Sequence, residues 1–288
     1  MPAYTAPTSV EDAVRALAAA SGIAKVLSGG TDLLVQLRSG RLKADLIVDT
    51  KRIPGISGIR AEGGGFVIGA ATSGAEIGEH EALGEAWPGV VEAANLIGST
   101  QIQGRASLAG NLCNASPAAD SVPALIAAHA TCMIAGSKGR REVPVETVAT
   151  GPGRTSLGPD EFIVEFRLPK RPPRSADAYL RFIPRTEMDI AVVGAGVNLT
   201  LDPAGVCTDA RLVLGAVAPT AVIVSDAAAA LIGRKLDDTA LGALDKAARA
   251  ACKPIDDKRG TIAYRVKVAG VLARRAATIA YKRAGERR

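Results

Sequence analysis

Two stretches of this chain put small residues, hydroxyls and amides where bulk would normally pack. The first, "VLSGGTDLL", runs from Val26 to Leu34. The second, "GRASLAGNLCNASPAAD", runs from Gly104 to Asp120. Glycine accepts positive φ and lets a ligand approach the backbone closely. Successive N–H groups in such a turn form an anion-binding concavity, helped by a helix N-terminus behind it. Ser28, Gly29, Gly30 and Thr31 supply such a turn, and Thr31 adds a hydroxyl. Ser107-Leu108-Ala109-Gly110-Asn111 combines the same ingredients. Two such loops suit the pyrophosphate of a cofactor, gripped by backbone amides without Lys or Arg. Asp120 is placed to accept hydrogen bonds from a sugar hydroxyl; Asn114 and Ser116 are placed to order the loop. Blander accounts exist. The first stretch reads equally as a plain β-to-α turn, the second as an Asx-rich turn capping a helix after Pro117. Valine at Gly30 or Gly110 is expected to separate the accounts by blocking phosphate while leaving secondary structure intact.

Other candidate chemistry is thin. His80 and His129 are the two histidines. His129, in "ALIAAHA", is expected in the core, and His80, among glutamates, at the surface. No Ser/His/Asp or Cys/His set is assembled, so hydrolase chemistry has no support. Cys113, Cys132, Cys207 and Cys252 form no CxxC pair, which argues against a zinc ribbon or an iron–sulfur site and for small core residues. "VVGAGVN", Val192 to Asn198, imitates a dinucleotide fingerprint. But "VNLTLD" continues it as strand, and the third glycine is missing. No Walker loop is present. The chemistry therefore belongs to a bound cofactor.

The elements around these stretches follow from local pattern. Thr8 to Glu11 reads as a capping box. The helix after it carries Val10, Val14, Leu17 and Ala18 at helical spacing and ends at Gly22. "AKVL" is a strand, Asp32 to Arg38 a short helix and "ADLIVDT" a buried strand, an alternation typical of α/β structure. "GGGFVIGAAT" gives a strand and turn, with helices expected near 74–79 and 89–97. Pro117 is expected to open a helix running through Ala130. "TCMIAG" and "DEFIVEFRLP" are strands. "PKRPPRSAD", Pro169 to Asp177, is the best linker candidate. Three consecutive strands follow, in "AYLRFIPR", "DIAVVGAGVNLTLD" and "CTDARLVLGAVAP", with a turn at 203–205. Helices then fall near 225–232, 238–251 and 261–284. Beyond the basic "YKRAGERR" there is no biased tail.

Composition sets outer bounds. The 288 residues favour two domains over one. Hydrophobic residues make up 48% and aromatics 3%, so the core must be built from Ala, Val, Leu and Ile. No apolar run reaches the roughly 18 residues of a membrane span. The opening residues lack a signal-peptide order, so a soluble cytoplasmic protein is expected. The net charge of +6 is uneven: from Arg174 onward there are 19 Lys+Arg against 12 Asp+Glu. These charges are scattered along helices without aromatic interleaving, which speaks against nucleic acid and for a solvated face or an acidic protein partner.

With "SGGTDLL", "RASLAGNLCNASPAAD", "LGAVAPT" and "DDKRGTIAYRVKVAGVLARRA" in this order, the whole chain resembles the FAD-binding medium subunit of the molybdenum hydroxylases, the group of carbon monoxide dehydrogenase and xanthine dehydrogenase. The resemblance implies an α+β protein. A PCMH/VAO-type FAD-binding domain over residues 1–172 is followed by a smaller α+β domain over 173–288, with an antiparallel sheet and helices. It implies noncovalent FAD, a small partner subunit with 2Fe–2S clusters, and a large molybdopterin subunit holding the molybdenum cofactor, arranged as a dimer of heterotrimers. Substrate is then hydroxylated at molybdenum, and electrons reach FAD one at a time through the clusters.

By the same resemblance, Val26, Leu27, Ser28, Gly29, Gly30, Thr31, Asp32 and Leu33 line the pyrophosphate and ribityl side. Ile97 touches the flavin rings. Ser107, Gly110 and Asn111 complete the cradle, and Asp120 bonds the cofactor. Ile163 packs on adenine, and Arg181 stands where relatives carry a basic residue near the flavin. Arg185 and the Asp189-Ile190 pair match a segment crossing towards the flavin. Ala109 departs from a glycine common in relatives and would cost about 1 kcal/mol if positive φ were needed there. The cysteine-rich insertion of benzoyl-type relatives is missing, so no 4Fe–4S cluster is expected. Two rivals share the fold. One is a stand-alone flavin oxidase or dehydrogenase, the other an assembly module that has lost FAD.

Overall fold

The computed structural model describes residues 2–287. It begins with β1 (Ala3–Thr5), α1 (Val10–Ala18), β2 (Ala24–Leu27), α2 (Leu33–Arg38) and β3 (Leu46–Asp49). The strands pair in parallel in the order β1-β3-β2, as crossover helices between successive strands require. α1 turns Ala13, Val14 and Leu17 inward. Its cap is Ser9, whose Oγ accepts from the Asp12 amide at 3.1 Å, one residue later than the Thr8–Glu11 box. Ser9 has the extended backbone that a cap needs.

The larger part of the first half is antiparallel. β4 (Ile59–Glu62) and β5 (Gly65–Gly69) lead into six helices: α3 (Gly74–Glu79), α4 (Glu81–Ala86), α5 (Pro88–Ala94), α6 (Thr100–Gln103), α7 (Leu108–Cys113) and α8 (Ser121–Ala127). Then come β6 (Thr131–Gly136), β7 (Gly139–Pro144), the small hairpin β8 (Ala149–Gly151) and β9 (Arg154–Thr155), and β10 (Phe162–Leu168). The five-stranded sheet runs β4-β5-β10-β6-β7. Aliphatic residues of sheet and helices make its core, and Trp87, Phe162 and Phe166 are buried within it.

Several expectations are corrected here. α8 starts at Ser121 rather than Pro117, because residues 116–119 close a turn of their own: the Ala119 amide bonds Ser116 O. The stretch around Ser107 is a helix start rather than a loop, since Ser107 Oγ caps α7 by accepting from the Gly110 amide at 3.2 Å. α4 and α6 are too short to show a 3.6 period, and edge strands β4 and β7 carry mostly exposed polar residues. His129 is exposed rather than core: α8 has ended, and positive φ (+55°) swings its ring out towards Arg211. His80 is half-buried rather than exposed, because its Nδ1 caps α4 by accepting from the Leu83 amide at 3.1 Å.

The second half holds a separate core. β11 (Ser175–Phe182), β12 (Val193–Leu201), β13 (Cys207–Gly215) and β14 (Val222–Ile223) form an antiparallel sheet in chain order, backed by α9 (Ser225–Leu231), α10 (Asp238–Ala250) and the 25-residue α11 (Ile262–Glu286). α11 buries a stripe of small residues, including Ala269, Gly270, Ala273, Ala276, Ala277 and Ala280, so it lies close on the sheet. "VVGAGVN" continues into β12, as expected. Its glycines serve packing: a Cβ at Gly196 would sit 2.7 Å from Pro123 O of α8, and one at Gly194 2.5 Å from the Tyr179 hydroxyl.

The segment Pro169–Asp177 is not a free linker. Arg171 and Asp177 are buried, with Arg171 Nη2 2.6 Å from Asp177 Oδ1. The guanidinium lies 3.6 Å from the Trp87 ring centroid. Proline and arginine content marked the segment as a linker, and it does join the two halves, but with its arginine buried between them.

Candidate cofactor site

The turn after β2 and the start of α7 meet edge to edge. Ser28 Oγ and Ser107 Oγ are 2.9 Å apart, and a Cβ at Gly29 would fall 1.8 Å from Arg105 O. Only glycine permits this contact. Together the two turns floor a cleft of about 530 Å³, within the range of small-molecule sites. Val26, Ser28 through Leu33, Ile97, Ser107, Gly110, Asn111 and Ile163 line it.

The floor is rich in donors. Among the described residues, the amides of Gly29, Gly30, Thr31 and Asp32 reach no protein acceptor within hydrogen-bond distance. Gly30 sits at φ +80°, which lets consecutive amides converge as a nest for an anion. Gly110 leaves space above α7, since a Cβ there would meet only Ser107 Oγ, at 3.3 Å. Asn111 Oδ1 accepts from both the amide and hydroxyl of Ser121, which leaves its NH₂ for the cleft. Asn114 Oδ1 accepts from Gln36 Nε2 at 2.9 Å, and Ser116 Oγ from the Ala118 amide, so both order the loop as expected. Ala109 lies within α7 without positive φ; the departure from glycine carries no backbone strain.

Three predicted residues stand outside the lining. Leu27 packs into the core behind the turn. Asp120 and Arg181 bond each other, Nη1 to Oδ2 at 2.9 Å, and both side chains are buried. Arg181 Nη1 also donates to Leu96 O at 2.6 Å, so the pair stands directly behind Ile97. Arg185 is exposed, whereas the Asp189 side chain is buried against Arg259. Sequence reasoning missed the opposite wall, Thr155, Leu157 and Gly158, and also Thr50 and Cys113. The wall's Gly/Pro/Thr content reads as turn and nothing more. Neither histidine lines the cleft, and no metal-ligating cluster occurs among the described residues.

Burial pushes the Asp120 carboxyl up to about 6 from its ordinary 3.8, against the pull of Arg181. Between these values the folded chain binds more protons than the unfolded chain. Stability contributed at Asp120 therefore rises as pH falls from about 6 towards 4, and the burial cost is fully present above that window. The melting temperature of the native chain, minus that of Asp120→Asn, is expected to grow over this interval and to level off on either side. Parallel melting curves across pH 4–6 would refute the assignment.

The family described as the FAD binding domain in molybdopterin dehydrogenase matches residues 1–171, and the CO dehydrogenase flavoprotein C-terminal domain matches residues 178–280. The chain belongs to this flavoprotein family. It is similar to the carbon monoxide dehydrogenase medium chain of Hydrogenophaga pseudoflava, at 32% identity over 97% of each chain. It is also similar to a putative xanthine dehydrogenase FAD-binding subunit of Escherichia coli, at 34% identity over 76% of this chain and 75% of that one. The solved carbon monoxide dehydrogenase from H. pseudoflava superposes with a TM-score of 0.93 at 33% identity, covering 98% of both chains. The protein is thus an oxidoreductase, an FAD-binding medium subunit of the molybdenum hydroxylase family. The residues of the cleft fit FAD: unpaired amides for the pyrophosphate, open space above α7 at Gly110, and apolar walls. No helix among the described residues is long and apolar enough to cross a membrane.

Proposed function

We propose that this flavoprotein relays electrons from 2Fe–2S clusters of a small partner subunit to an external acceptor, within a cytoplasmic dimer of heterotrimers that also contains a large molybdopterin subunit. The observation that carries the reading is the run of unpaired amides from Gly29 to Asp32 beside Ser107 and Gly110. In this reading the 1–172 domain holds FAD noncovalently. The turn amides and Asn111 hold the pyrophosphate, Ile163 meets adenine, and Ile97 meets the flavin rings. When bound, FAD supplies a redox centre able to accept electrons singly and pass them on. The chain's own part is to bind, orient and shield. No histidine lines the cleft to handle a substrate proton, which favours a relay over a stand-alone oxidase.

The test is reduction of the bound flavin by the complex's organic substrate. Reduction only with both partner subunits present supports the relay; reduction of the isolated chain would establish the oxidase instead. Partner association should also slow as salt rises, because the excess of basic residues after Arg174 steers an acidic surface. FAD retention should change much less, since its grip is backbone amide rather than surface charge. Stopped-flow association and flavin retention over one salt series measure both, and salt-independent association would reject steering.

A further inference from the structure

The Ile97 wall of the cleft is held from behind by the second half of the chain. Leu96 O is taken by Arg181, and Gly98 O accepts from the Met188 amide at 3.2 Å. Gly98 (φ +66°) and Met188 (φ +51°) are both left-handed, so this bond joins two tight turns. Methionine is not suited to that conformation, at about 1 kcal/mol, and its surroundings must impose it. Asp189 does so. Its Oδ1 accepts from the Ile190 amide at 2.8 Å and from Arg259 Nε at 3.0 Å, and its side chain is 7% exposed. Arg259 is itself fixed in the turn before α11, where Asp257 Oδ1 accepts from the Arg259 amide at 2.8 Å and from Arg265 Nη2 at 2.7 Å. Arg265 Nη1 then donates to Val192 O at 2.7 Å. The segment from Met188 to Val192 is thus clamped at Asp189 and Val192 by arginines from the entrance to α11, and it leans on Gly98.

We propose that Asp189 and Arg259 are positioning residues for the flavin: their ion pair sets the Met188 turn, which sets Gly98 and so places Ile97 against the ring system. Neither residue lines the cleft, so their influence is wholly indirect. The inference rests on the reading that Ile97 meets the flavin rings, and that reading is checked separately. Ile97→Trp puts an indole against the ring and should change flavin fluorescence and absorption.

The experiment uses the full chain loaded with FAD. Asp189→Asn and Arg259→Gln are compared with the native protein in visible absorption, flavin midpoint potential, FAD affinity and melting temperature. The expected result is a shifted absorption envelope and potential, with a Kd for FAD raised roughly three- to thirtyfold, the usual range for coupling through packed intermediaries. Arg259→Lys, which keeps a charged donor, should recover part of the change. Asp189→Glu keeps the charge but displaces the carboxylate by one methylene, and it decides the question if the other variants do not fold. A purely structural role would lower the melting temperature alone. Native absorption, potential and Kd in folded Asp189 and Arg259 variants would overturn the proposal. If Ile97→Trp still perturbs the flavin, only the proposal has failed; if Ile97→Trp is silent too, the reading of the wall has failed.

Discussion

Gly110→Val is expected to yield a folded, colourless protein. Gly110 is the third residue of α7, where valine is about as tolerable as glycine in a helix. A Cβ there meets only Ser107 Oγ, at 3.3 Å, so the added methyls stand in the cleft rather than in the core. Forcing bulk into a filled site costs about 3 kcal/mol, on the order of a hundredfold in affinity. Flavin absorbance of the purified chain and an FAD titration measure the loss, with circular dichroism as the control for folding. Native flavin content in this variant would remove α7 from the cofactor site. Gly30 and Gly29 are less clean probes. Gly30 has positive φ, and a Cβ there lies 2.9 Å from Leu27 Cδ1, so Gly30→Val should weaken the fold as well as the site, contrary to the sequence-based expectation. Gly29→Ala drives a methyl into Arg105 O and should part the two turns.

The largest effect on stability is expected from Arg171→Ala. The guanidinium pairs with Asp177, bonds the Ser175 hydroxyl and Asn198 Oδ1, and stacks on Trp87. Asp177 Oδ2 also accepts from the Val90 amide of α5. Truncation leaves a buried carboxylate without its counter-charge, a loss of about 3–5 kcal/mol. Trp87 is the single tryptophan of the chain, so its fluorescence reports the site during denaturant unfolding. Adding Asp177→Asn to Arg171→Ala should restore part of the loss, because the stranded charge is gone. Loss below 1 kcal/mol, or no recovery in the double variant, would show that solvent reaches the pair.

The sequence by itself determined the order of most longer elements, the position of both turns and the family. These depend on local causes. "AKVL" is a strand and "SGGTDLL" a turn into a helix because glycine placement and the apolar run act over a few residues. α10 and α11 were legible because each runs for enough turns for its period to emerge. Ten of the expected site residues line the cleft because they lie in the two contiguous motifs; Ile97 and Ile163 line it as well, but only the family resemblance pointed to them.

Tertiary structure alone decided the rest, wherever a residue's role depends on a partner far along the chain. Asp120 and Arg181, 61 positions apart, meet each other instead of lining the cleft. Arg171 looked like linker chemistry until Asp177 and Trp87 enclosed it, and His129 left an apolar run because its helix ends first. The wall from Thr155 to Gly158 has no motif, since turn residues acquire a purpose only when the fold brings them into one cleft with Gly29. Most telling is the contact between Gly29 and Arg105: two glycine-bearing turns, each unremarkable in its own stretch, become one floor because a backbone carbonyl occupies the space of the missing Cβ.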